Sequence, residues 1–271
     1  MNVDQLRHSF HRDGYLAVPG ILSRDEMDEL HHAVARLEAM GAEPAADPAQ
    51  FRFAAFGDDG GSRRLQQVGE PHALDDTWLD LARHGKLLPI VSALLDSDVS
   101  LYYSMFMMKP ARHGFRAPWH QDLAFFVHDR DALIAAQVYL DDSTIDNGCI
   151  EVVPGSHRLG LLNHFRDGVF TEQVQGDLSA FDESKVAVPM TAGGVVLWSS
   201  LTLHSSGPNR SDRPRRAVVF EYKDPTTLLM GGAFDRAREI TSVGVPLFEK
   251  DPTSLPASQL RTVNNQGGNH D

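Results

Sequence analysis

The sequence predicts a mainly β protein, a sandwich or barrel with α-helices packed against its outside. Two helical stretches come first, and short apolar runs separated by turn residues dominate the rest of the chain. No repeat of fixed period and no linker between two folded halves is evident. We therefore expect one domain over residues 1–271, with a core of about 10–249 and a frayed polar tail at 250–271.

The N-terminal part is predicted to contain a short strand and a capped helix. The strand lies within Asp13–Gly20, where an apolar run is closed by a Pro-Gly turn. Ser23 and Glu26 then form a capping box, in which each side chain satisfies a free backbone donor of the other residue. Apolar residues follow at helical spacing as far as Gly41, where we expect the helix to stop.

The remaining elements are a loop, a second helix and a series of strands. Residues 41–62 are rich in Gly, Ala, Pro and Asp and are predicted to form a loop, whereas 76–95 show the apolar spacing of a helix. The predicted strands are Val99–Lys109, Leu133–Leu140, Cys149–Val153, Lys185–Met190, Val195–Trp198 and Ala217–Tyr222.

Charge and composition exclude several classes of partner. Lys and Arg total 25 against 37 Asp and Glu, a net charge of -12 that repels phosphate backbones and anionic membranes, so neither is predicted as a partner. The single cysteine, Cys149, cannot form an internal disulfide. No secretory signal is visible, and no apolar run reaches the ~18 residues that a membrane span requires. We expect a cytoplasmic protein that acts on a small molecule; its oligomeric state is not indicated.

Two His-x-Asp triplets occur among the 13 histidines, and about one is expected by chance. His11-Arg12-Asp13 lies in a polar stretch predicted to be helical, where residues i and i+2 point about 200° apart and cannot hold one ion. His120-Gln121-Asp122 follows Pro118-Trp119 in an extended apolar context, where residues i and i+2 share a face. The second triplet is therefore the candidate metal site, with an ordinary structural role as the alternative.

A third ligand must come from elsewhere in the fold. His204 is the best candidate, because the apolar run after a Gly-Gly turn places it on or beside a core strand. His128, His157 and His164 remain rivals on composition. Two histidines and one carboxylate form the facial triad of non-haem Fe(II) oxygenases, whereas zinc favours further N and S ligands that a chain with one cysteine does not supply.

The positions left open on such an iron accept a bidentate co-substrate and dioxygen. A 2-oxo acid chelates through its carboxylate and keto oxygen and leaves a remote carboxylate for a guanidinium. If a strand begins at Arg215, this residue shares a face with Ala217 and Val219, whose small side chains leave room for a ligand. For Arg213 and Arg216, a solvated position on the rim is the preferred interpretation.

The chain resembles the phytanoyl-CoA dioxygenase family of Fe(II)- and 2-oxoglutarate-dependent oxygenases over roughly residues 10–222. The matching segments are Asp13-Gly14-Tyr15, Lys109-Pro110, Pro118–Leu123, Asn147–His157, His204–Asn209 and Arg215. The resemblance implies a double-stranded β-helix, a jelly roll of two facing sheets whose open end holds the metal.

The resemblance also implies a ligand set. Iron is expected on His120, Asp122 and His204, and 2-oxoglutarate on Arg215 and Ser206. Further residues expected to line the same pocket are Met105, Gln137 and Gln67. Gln67 stands where the mammalian enzyme that gives the family its name carries a lysine, and Gln137 where that enzyme carries a tryptophan. His157 falls in the family's Pro-Gly-Ser-His turn, which is not a ligand there.

The implied activity is the hydroxylation of an unactivated C–H bond of a small metabolite, with O2 as co-substrate and release of succinate and CO2. The retained Asp122 favours hydroxylation or another oxidation, because related halogenases replace this carboxylate by a small residue to admit chloride. A cupin-like metal isomerase remains an alternative, although it would have no use for Arg215 and Ser206. A catalytically silent jelly-roll binding protein is the other, although it would be expected to lose one of these groups.

Two stretches beside the triplet have open interpretations. The alternating Met and Phe side chains of Met105–Met108 are more often core than pocket wall. The basic side chains of Lys109, Arg112, His113 and Arg116 form either a lid that grips an anionic substrate group or a solvated loop.

Overall fold

A computed structural model describes residues 3–56, 62–112, 115–231 and 245–248. The helices are α1 (Val3–Asp13), α2 (Arg24–Ala42), α3 (Asp76–Ala82), α4 (Leu87–Leu95) and α5 (Ser179–Ser184). The strands are β1 (Tyr15–Val18), β2 (Phe51–Phe56), β3 (Ser62–Gly69), β4 (Val99–Lys109), β5 (Ala117–His120), β6 (Val127–His128), β7 (Leu133–Tyr139), β8 (Ile150–Val152), β9 (Phe165–Arg166), β10 (Val169–Phe170), β11 (Val186–Val188), β12 (Val195–Ser199), β13 (His204–Ser206), β14 (Arg215–Lys223), β15 (Leu229–Gly231) and β16 (Val245–Phe248). The predicted polar tail at 250–271 lies outside the described residues.

Two antiparallel sheets face each other across the site. The larger has eight strands in the order β1-β12-β7-β14-β4-β3-β2, with β16 beside β4, and the smaller has four in the order β11-β8-β13-β5. Two short two-stranded sheets, β9 with β10 and β6 with β15, are separate from them. The predicted jelly roll is confirmed, and each predicted strand matches an observed one within a few residues.

Alternation along the strands divides the core into two layers. On β14, Val218 and Phe220 pack with the apolar faces of the N-terminal helices. Ala217 and Val219 point the other way and pack with residues of the smaller sheet, such as Ile150. Because successive side chains of a strand face opposite sides of the sheet, both faces of the larger sheet are covered. The helices therefore close one face and leave the other to the space between the sheets.

The capping box at the start of α2 is present. The Ser23 backbone N–H donates to Glu26 Oε2 at 2.7 Å, and the Glu26 N–H donates to Ser23 Oγ at 3.4 Å. The helix ends at Ala42, one residue beyond the expected stop. Gly41 is needed for packing instead, because a Cβ there would lie 2.9 Å from Phe51 Cδ1.

Glu26→Gln is expected to lower the unfolding free energy by about 1 kcal/mol at pH 7. Hydrogen bonds from the Ser23 hydroxyl and backbone N–H lower the pKa of Glu26 to about 2. A carboxyl whose pKa is depressed in the folded protein stabilises it above the unfolded pKa of about 4.3, and this contribution disappears as the pH falls toward 2. Urea unfolding between pH 7 and pH 3 should therefore show the difference from wild type shrinking.

Glu29→Gln is the control for this prediction, because Glu29 is an exposed residue of the same helix with the same charge. It should change stability by less than about 0.5 kcal/mol. The capping interpretation would be contradicted if the difference in unfolding free energy between wild type and Glu26→Gln stayed constant down to pH 3.

Two sequence-based predictions in this region are wrong. Residues 76–95 form α3 and α4 rather than one helix. Pro89 is the reason: within a continuous helix it would remove a hydrogen bond and clash with the preceding turn, whereas in the first turn of α4 it costs no intrahelical bond. The predicted loop at 41–62 contains β2, which pairs with β3 in a register that places Arg52 opposite Gln67.

None of the helices in the described ranges is both long and apolar enough to cross a lipid bilayer.

Candidate metal centre

A cavity of about 630 Å³ opens between the two sheets. Its lining includes every site residue that the sequence predicted: His120, Asp122, His204, Arg215, Ser206, Gln137, Met105 and Gln67. The fold thus brings together side chains that lie up to 148 positions apart in the sequence, from Gln67 to Arg215.

The two histidines of the candidate metal set lie on neighbouring strands. His204 in β13 is directly opposite His120 at the end of β5, and their ring centroids are 4.1 Å apart. Immediately after β5, a short 3-10 helix carries Asp122 to the same point. Asp122 Oδ1 lies 3.7 Å from His120 Nε2 and 3.5 Å from His204 Nε2. All three potential ligand atoms are within 4.8 Å of one another, close enough to share one ion.

Hydrogen bonds to backbone carbonyls fix how the two imidazoles are presented. His120 Nδ1 lies 2.7 Å from the Pro118 carbonyl oxygen, and His204 Nδ1 lies 2.9 Å from that of Thr202. A carbonyl only accepts, so Nδ1 carries the proton in each ring and Nε2 keeps its lone pair for a metal. Burial, together with the neighbouring His204, lowers the pKa of His120 to about 4, which keeps this ring neutral.

The carboxylate is oriented by an indole. Trp198 Nε1 donates to Asp122 Oδ2 at 2.7 Å, which leaves Oδ1 directed at the two Nε2 atoms. Two neutral imidazole nitrogens and one carboxylate oxygen grouped on one side of a cavity are the donor set of a facial triad. The donor set and the open space beside it therefore fit Fe(II).

Trp198→Phe is expected to weaken Fe(II) binding by about 10- to 100-fold. The phenyl ring keeps most of the packing in the core but leaves Asp122 Oδ2 without its donor, so the carboxylate loses its fixed orientation. Equilibrium competition with a metallochromic chelator under argon measures the affinity directly.

Trp119→Phe is a matched control. Trp119 is equally buried and lies next to His120, but its Nε1 donates to Asp182 at 3.1 Å, away from the metal set. The control should leave the metal affinity unchanged within about threefold, because it removes no donor to a ligand. Equal losses in the two variants would mean that general packing, and not the indole hydrogen bond, sets the affinity.

The middle residue of the triplet holds the surrounding loops. Gln121 donates from Nε2 to the carbonyl oxygens of Gly160 and Leu201, at 2.9 and 2.7 Å, and accepts from the Leu162 N–H. Its backbone N–H donates to His164 Nε2 at 3.1 Å. His164 Nδ1 faces the Leu162 carbonyl oxygen at 2.9 Å, so both ring nitrogens are committed. His164 therefore supports the triplet and is not available as its third ligand.

The other rival histidines lie elsewhere. His157 Nε2 contacts the His11 carbonyl oxygen at 3.0 Å, and His128 Nδ1 contacts that of Phe126 at 2.7 Å. The first His-x-Asp triplet is in α1 as predicted, and its Asp13 pairs with Arg12 instead of converging on a histidine. Among the described residues, His204, which the sequence favoured as the third ligand, is the residue that lies beside His120 and Asp122.

Arg215 is a buried cation with unused donors. The residue is only 2% exposed, and its Nη2 donates to the Gly148 carbonyl oxygen at 3.2 Å. Its Nε and Nη1 are buried with no hydrogen-bond partner in the described ranges. Leaving a buried guanidinium half-partnered is unfavourable, so the site is suited to an anion that accepts from both nitrogens. Gly148 is required here, since at its φ of +78° a Cβ would collide with the Gly207 carbonyl oxygen.

Of the two neighbouring arginines, Arg213 has the predicted solvated position, whereas Arg216 is half-buried in an ion pair. Arg216 faces the opposite side of β14 and makes two hydrogen bonds to Asp141, at 2.8 and 2.7 Å. Arg213 is 88% exposed in its side chain. Neither lines the cavity.

Lys109 occupies an interior position that the sequence analysis did not predict. It is fully buried, stands opposite Arg215 in the β4–β14 register, and donates from Nζ to Ser206 Oγ at 2.7 Å and to the Gly207 carbonyl. Burial, with Arg215 nearby, lowers the pKa of Lys109 to about 6. Because the lysine occupies Ser206 as an acceptor, the serine hydroxyl is left to donate to an anion beside Arg215. Both alternatives predicted for Lys109, a lid and a solvated loop, are thus wrong, and its Lys-Pro pair was the available signal.

The methionine stretch divides between core and cavity. Met105 and Met107 line the cavity, whereas Phe106 and Met108 are core residues. The core interpretation was therefore right for only half of the segment. The basic stretch ends at Arg116, an exposed residue on the cavity wall, and His113 of the same stretch lies outside the described residues.

The two predicted glutamines have different surroundings. Gln137 is buried and its Oε1 accepts from the Tyr139 hydroxyl at 3.0 Å, whereas Gln67 Oε1 lies 3.4 Å from Nη1 of the exposed Arg52.

Comparisons with known proteins agree on one group. The model of a family described as Phytanoyl-CoA dioxygenase (PhyH) matches residues 10–217. The chain is 27% identical over 216 residues to a probable alpha-ketoglutarate-dependent hypophosphite dioxygenase of Stutzerimonas stutzeri, covering 77% of this chain and 74% of the relative. It is 28% identical over 239 residues to L-proline trans-4-hydroxylase of Streptomyces griseoviridis, covering 79% and 84%. The fold is similar to that of the epimerase SnoN in complex with Fe3+, alpha ketoglutarate and nogalamycin RO, with a TM-score of 0.71, 23% identity and coverage of 97% and 98%.

Proposed function

The chain belongs to the phytanoyl-CoA dioxygenase family, and on this premise we propose that it is an Fe(II)- and 2-oxoglutarate-dependent dioxygenase that hydroxylates a small-molecule metabolite. One observation carries the proposal: a His-Asp-His donor set and a buried arginine with two unpartnered nitrogens line the same cavity. The first suits iron and the second suits the remote carboxylate of a 2-oxo acid.

The cofactor positions follow from the side chains. His120 and His204 would hold Fe(II) through Nε2 and Asp122 through Oδ1, while Arg215 and Ser206 would bind the distal carboxylate of 2-oxoglutarate. When bound, iron with 2-oxoglutarate and O2 supplies the oxidation of an unactivated C–H bond, with release of succinate and CO2. Gln67, Gln137 and Met105 line the wall near these groups and are proposed to contact the co-substrate.

The protein's own residues perform binding, orientation and exclusion of water. Arg215 offers two nitrogens, and Lys109 holds the Ser206 oxygen so that its hydroxyl hydrogen points away toward the anion. Trp198 fixes Asp122, and the carbonyl partners of the histidines fix the rings. The cavity walls separate the reacting carbon from bulk water, which limits side reactions of the oxidant.

The two alternatives are less consistent with this arrangement. A metal isomerase would need the triad but not a half-partnered Arg215 held beside Ser206. A silent binding protein would have no reason to maintain the tautomer-fixing hydrogen bonds, the indole on Asp122 and two buried basic side chains at once, because burying each of these polar groups is unfavourable unless it is paired.

The substrate class is a small molecule. The relatives that the chain matches act, by their names, on hypophosphite and on L-proline. A cavity of about 630 Å³ has room for a metabolite as well as for the co-substrate. We propose a biosynthetic intermediate and not a coenzyme A thioester, because the chain's net charge of -12 disfavours so anionic a ligand. A single buried cysteine, Cys149, is consistent with the proposed cytoplasmic location.

The test is to supply the Fe(II)-loaded protein with 2-oxoglutarate and O2 and to quantify succinate and CO2. We expect a slow release of both in equal amounts without any substrate, and a visible absorption band of the 2-oxoglutarate chelate under argon. Intact, metal-loaded protein that gives neither product nor band would favour the isomerase or silent alternative.

A further inference from the structure

Glu221 is a buried carboxyl group that the proposed iron and 2-oxoglutarate sites do not use. It follows Arg215, Ala217 and Val219 at every second position of β14, so it faces the same cavity from a point farther along the strand. The residue is 4% exposed, and its Oε2 has no hydrogen-bond partner among the residues that the structure describes.

An unpartnered buried carboxyl is unfavourable for the empty protein. At 4% exposure the carboxyl is screened from water, so an anion there would need a counter-charge from another group. Neighbours in register on the adjacent strands, Tyr103 and Ala135, do not supply one. A bound group that carries hydrogen-bond donors and positive charge would satisfy this carboxyl.

Aromatic rings surround the same part of the cavity. Tyr103, Phe125, Phe126 and Trp198 all line it. The Phe126 ring lies 5.6 Å from that of Tyr103 and 6.4 Å from that of Phe125, and Phe125 lies 5.7 Å from the imidazole of His120. The aromatic wall thus reaches the candidate metal set. Aromatic faces combined with a carboxylate form a favourable environment for an ammonium group.

The charges of the cavity are arranged by depth. Two arginines on its wall, Arg52 and Arg116, are exposed, as is the carboxylate of Glu172. Besides the proposed iron ligand Asp122, Glu221 is a buried acid on the aromatic side, and its carboxylate form is opposite in charge to Arg215 at the other end of the strand face. Co-substrate and substrate would then be sorted by charge within one cavity, and the net charge of -12 would raise the local concentration of cations.

We propose that Glu221 is the specificity-determining residue of this site and that the substrate presents a protonated amine to it, close to the carbon that is oxidised. This inference rests on the proposed function, since it assumes that a substrate binds beside the iron. The aromatic wall packs against the apolar part of the same molecule.

The test uses probes that share one apolar body. 2-Phenylethylammonium, 2-phenylethanol and 3-phenylpropionate are titrated calorimetrically into protein loaded with Fe(II) and 2-oxoglutarate under argon. We expect the ammonium to bind at least about tenfold more tightly than the alcohol, and the carboxylate most weakly. Glu221→Gln should reduce the preference for the ammonium over the alcohol to about twofold or less, because the amide keeps the volume and loses the charge.

Glu172→Gln is the matched control, since it removes the same charge from the exposed part of the same cavity. It should keep at least about half of the wild-type preference. The proposal would be overturned if the wild type bound the three probes with equal affinity or did not bind the ammonium. It would also be overturned if Glu221→Gln kept the preference for the ammonium. The chelate band recorded before each titration separates this failure from failure of the proposed function, because without the band the co-substrate itself is not bound.

Discussion

Arg215→Ala is expected to weaken 2-oxoglutarate binding by at least about a hundredfold. The variant removes the two buried donors that have no partner among the described residues, and a dicarboxylate would then bury one end without a counter-charge. Ser206 and Lys109 remain, but the serine offers a single hydrogen bond and the lysine already donates to it. A strong loss of affinity is therefore expected even though the metal set is untouched.

Anaerobic titration of the Fe(II)-loaded protein with 2-oxoglutarate, followed through the visible chelate band, measures this loss. Arg216→Ala is the control one position away: it removes an arginine that faces the opposite side of the sheet and is paired with Asp141. Its affinity for 2-oxoglutarate should stay within about threefold of wild type. If Arg215→Ala binds as well as this control, the guanidinium has another role and the isomerase alternative regains its place.

Local sequence patterns predicted the elements well where a local cause dominates. The capping box of Ser23 and Glu26 has a fixed spacing, and the long strand Val99–Lys109 was predicted with its observed bounds. The loop prediction for 41–62 failed because β2 is stabilised by pairing with β3, which composition cannot reveal. The single helix over 76–95 failed because the prediction used the apolar spacing alone and took no account of Pro89, which a continuous helix does not accommodate.

The site was predicted unevenly for a similar reason. His120 and Asp122 are close in sequence, and their motif and the resemblance identify them together with His204 and Arg215. Trp198 acts on the site only through tertiary contact, so no spacing in the chain points to it. Lys109 was placed among exposed basic residues because charge alone suggests solvent, whereas the β4–β14 register places it in the interior.

Glu221 was within reach of sequence reasoning. The alternation that put Arg215, Ala217 and Val219 on one face extends by one further step to it. An acidic residue that follows two apolar ones, Ala217 and Val219, on the cavity side of a strand contradicts simple core patterning, and such contradictions are expected at functional sites.

Asp122→Ala is expected to weaken Fe(II) binding by at least about a hundredfold and to abolish release of succinate. The remaining donors are two neutral imidazole nitrogens, and the carboxylate is the only anion of the set. The variant also leaves the buried indole N–H of Trp198 without its acceptor. The affinity must be measured in chloride-free buffer, because a small residue at this position leaves room for a halide to replace the carboxylate.

Asp13→Ala provides the control within the same chain, since Asp13 belongs to the other His-x-Asp triplet. That triplet lies in α1, where Asp13 pairs with Arg12, and we expect its loss to leave metal affinity unchanged. Chelator competition on the two variants therefore tests whether the spatial arrangement of the ligands, and not the His-x-Asp sequence alone, forms a metal site. Retention of full Fe(II) affinity in Asp122→Ala without chloride would show that the carboxylate is not a ligand. Partial recovery when chloride is added would instead identify the vacated position as part of the metal's coordination sphere.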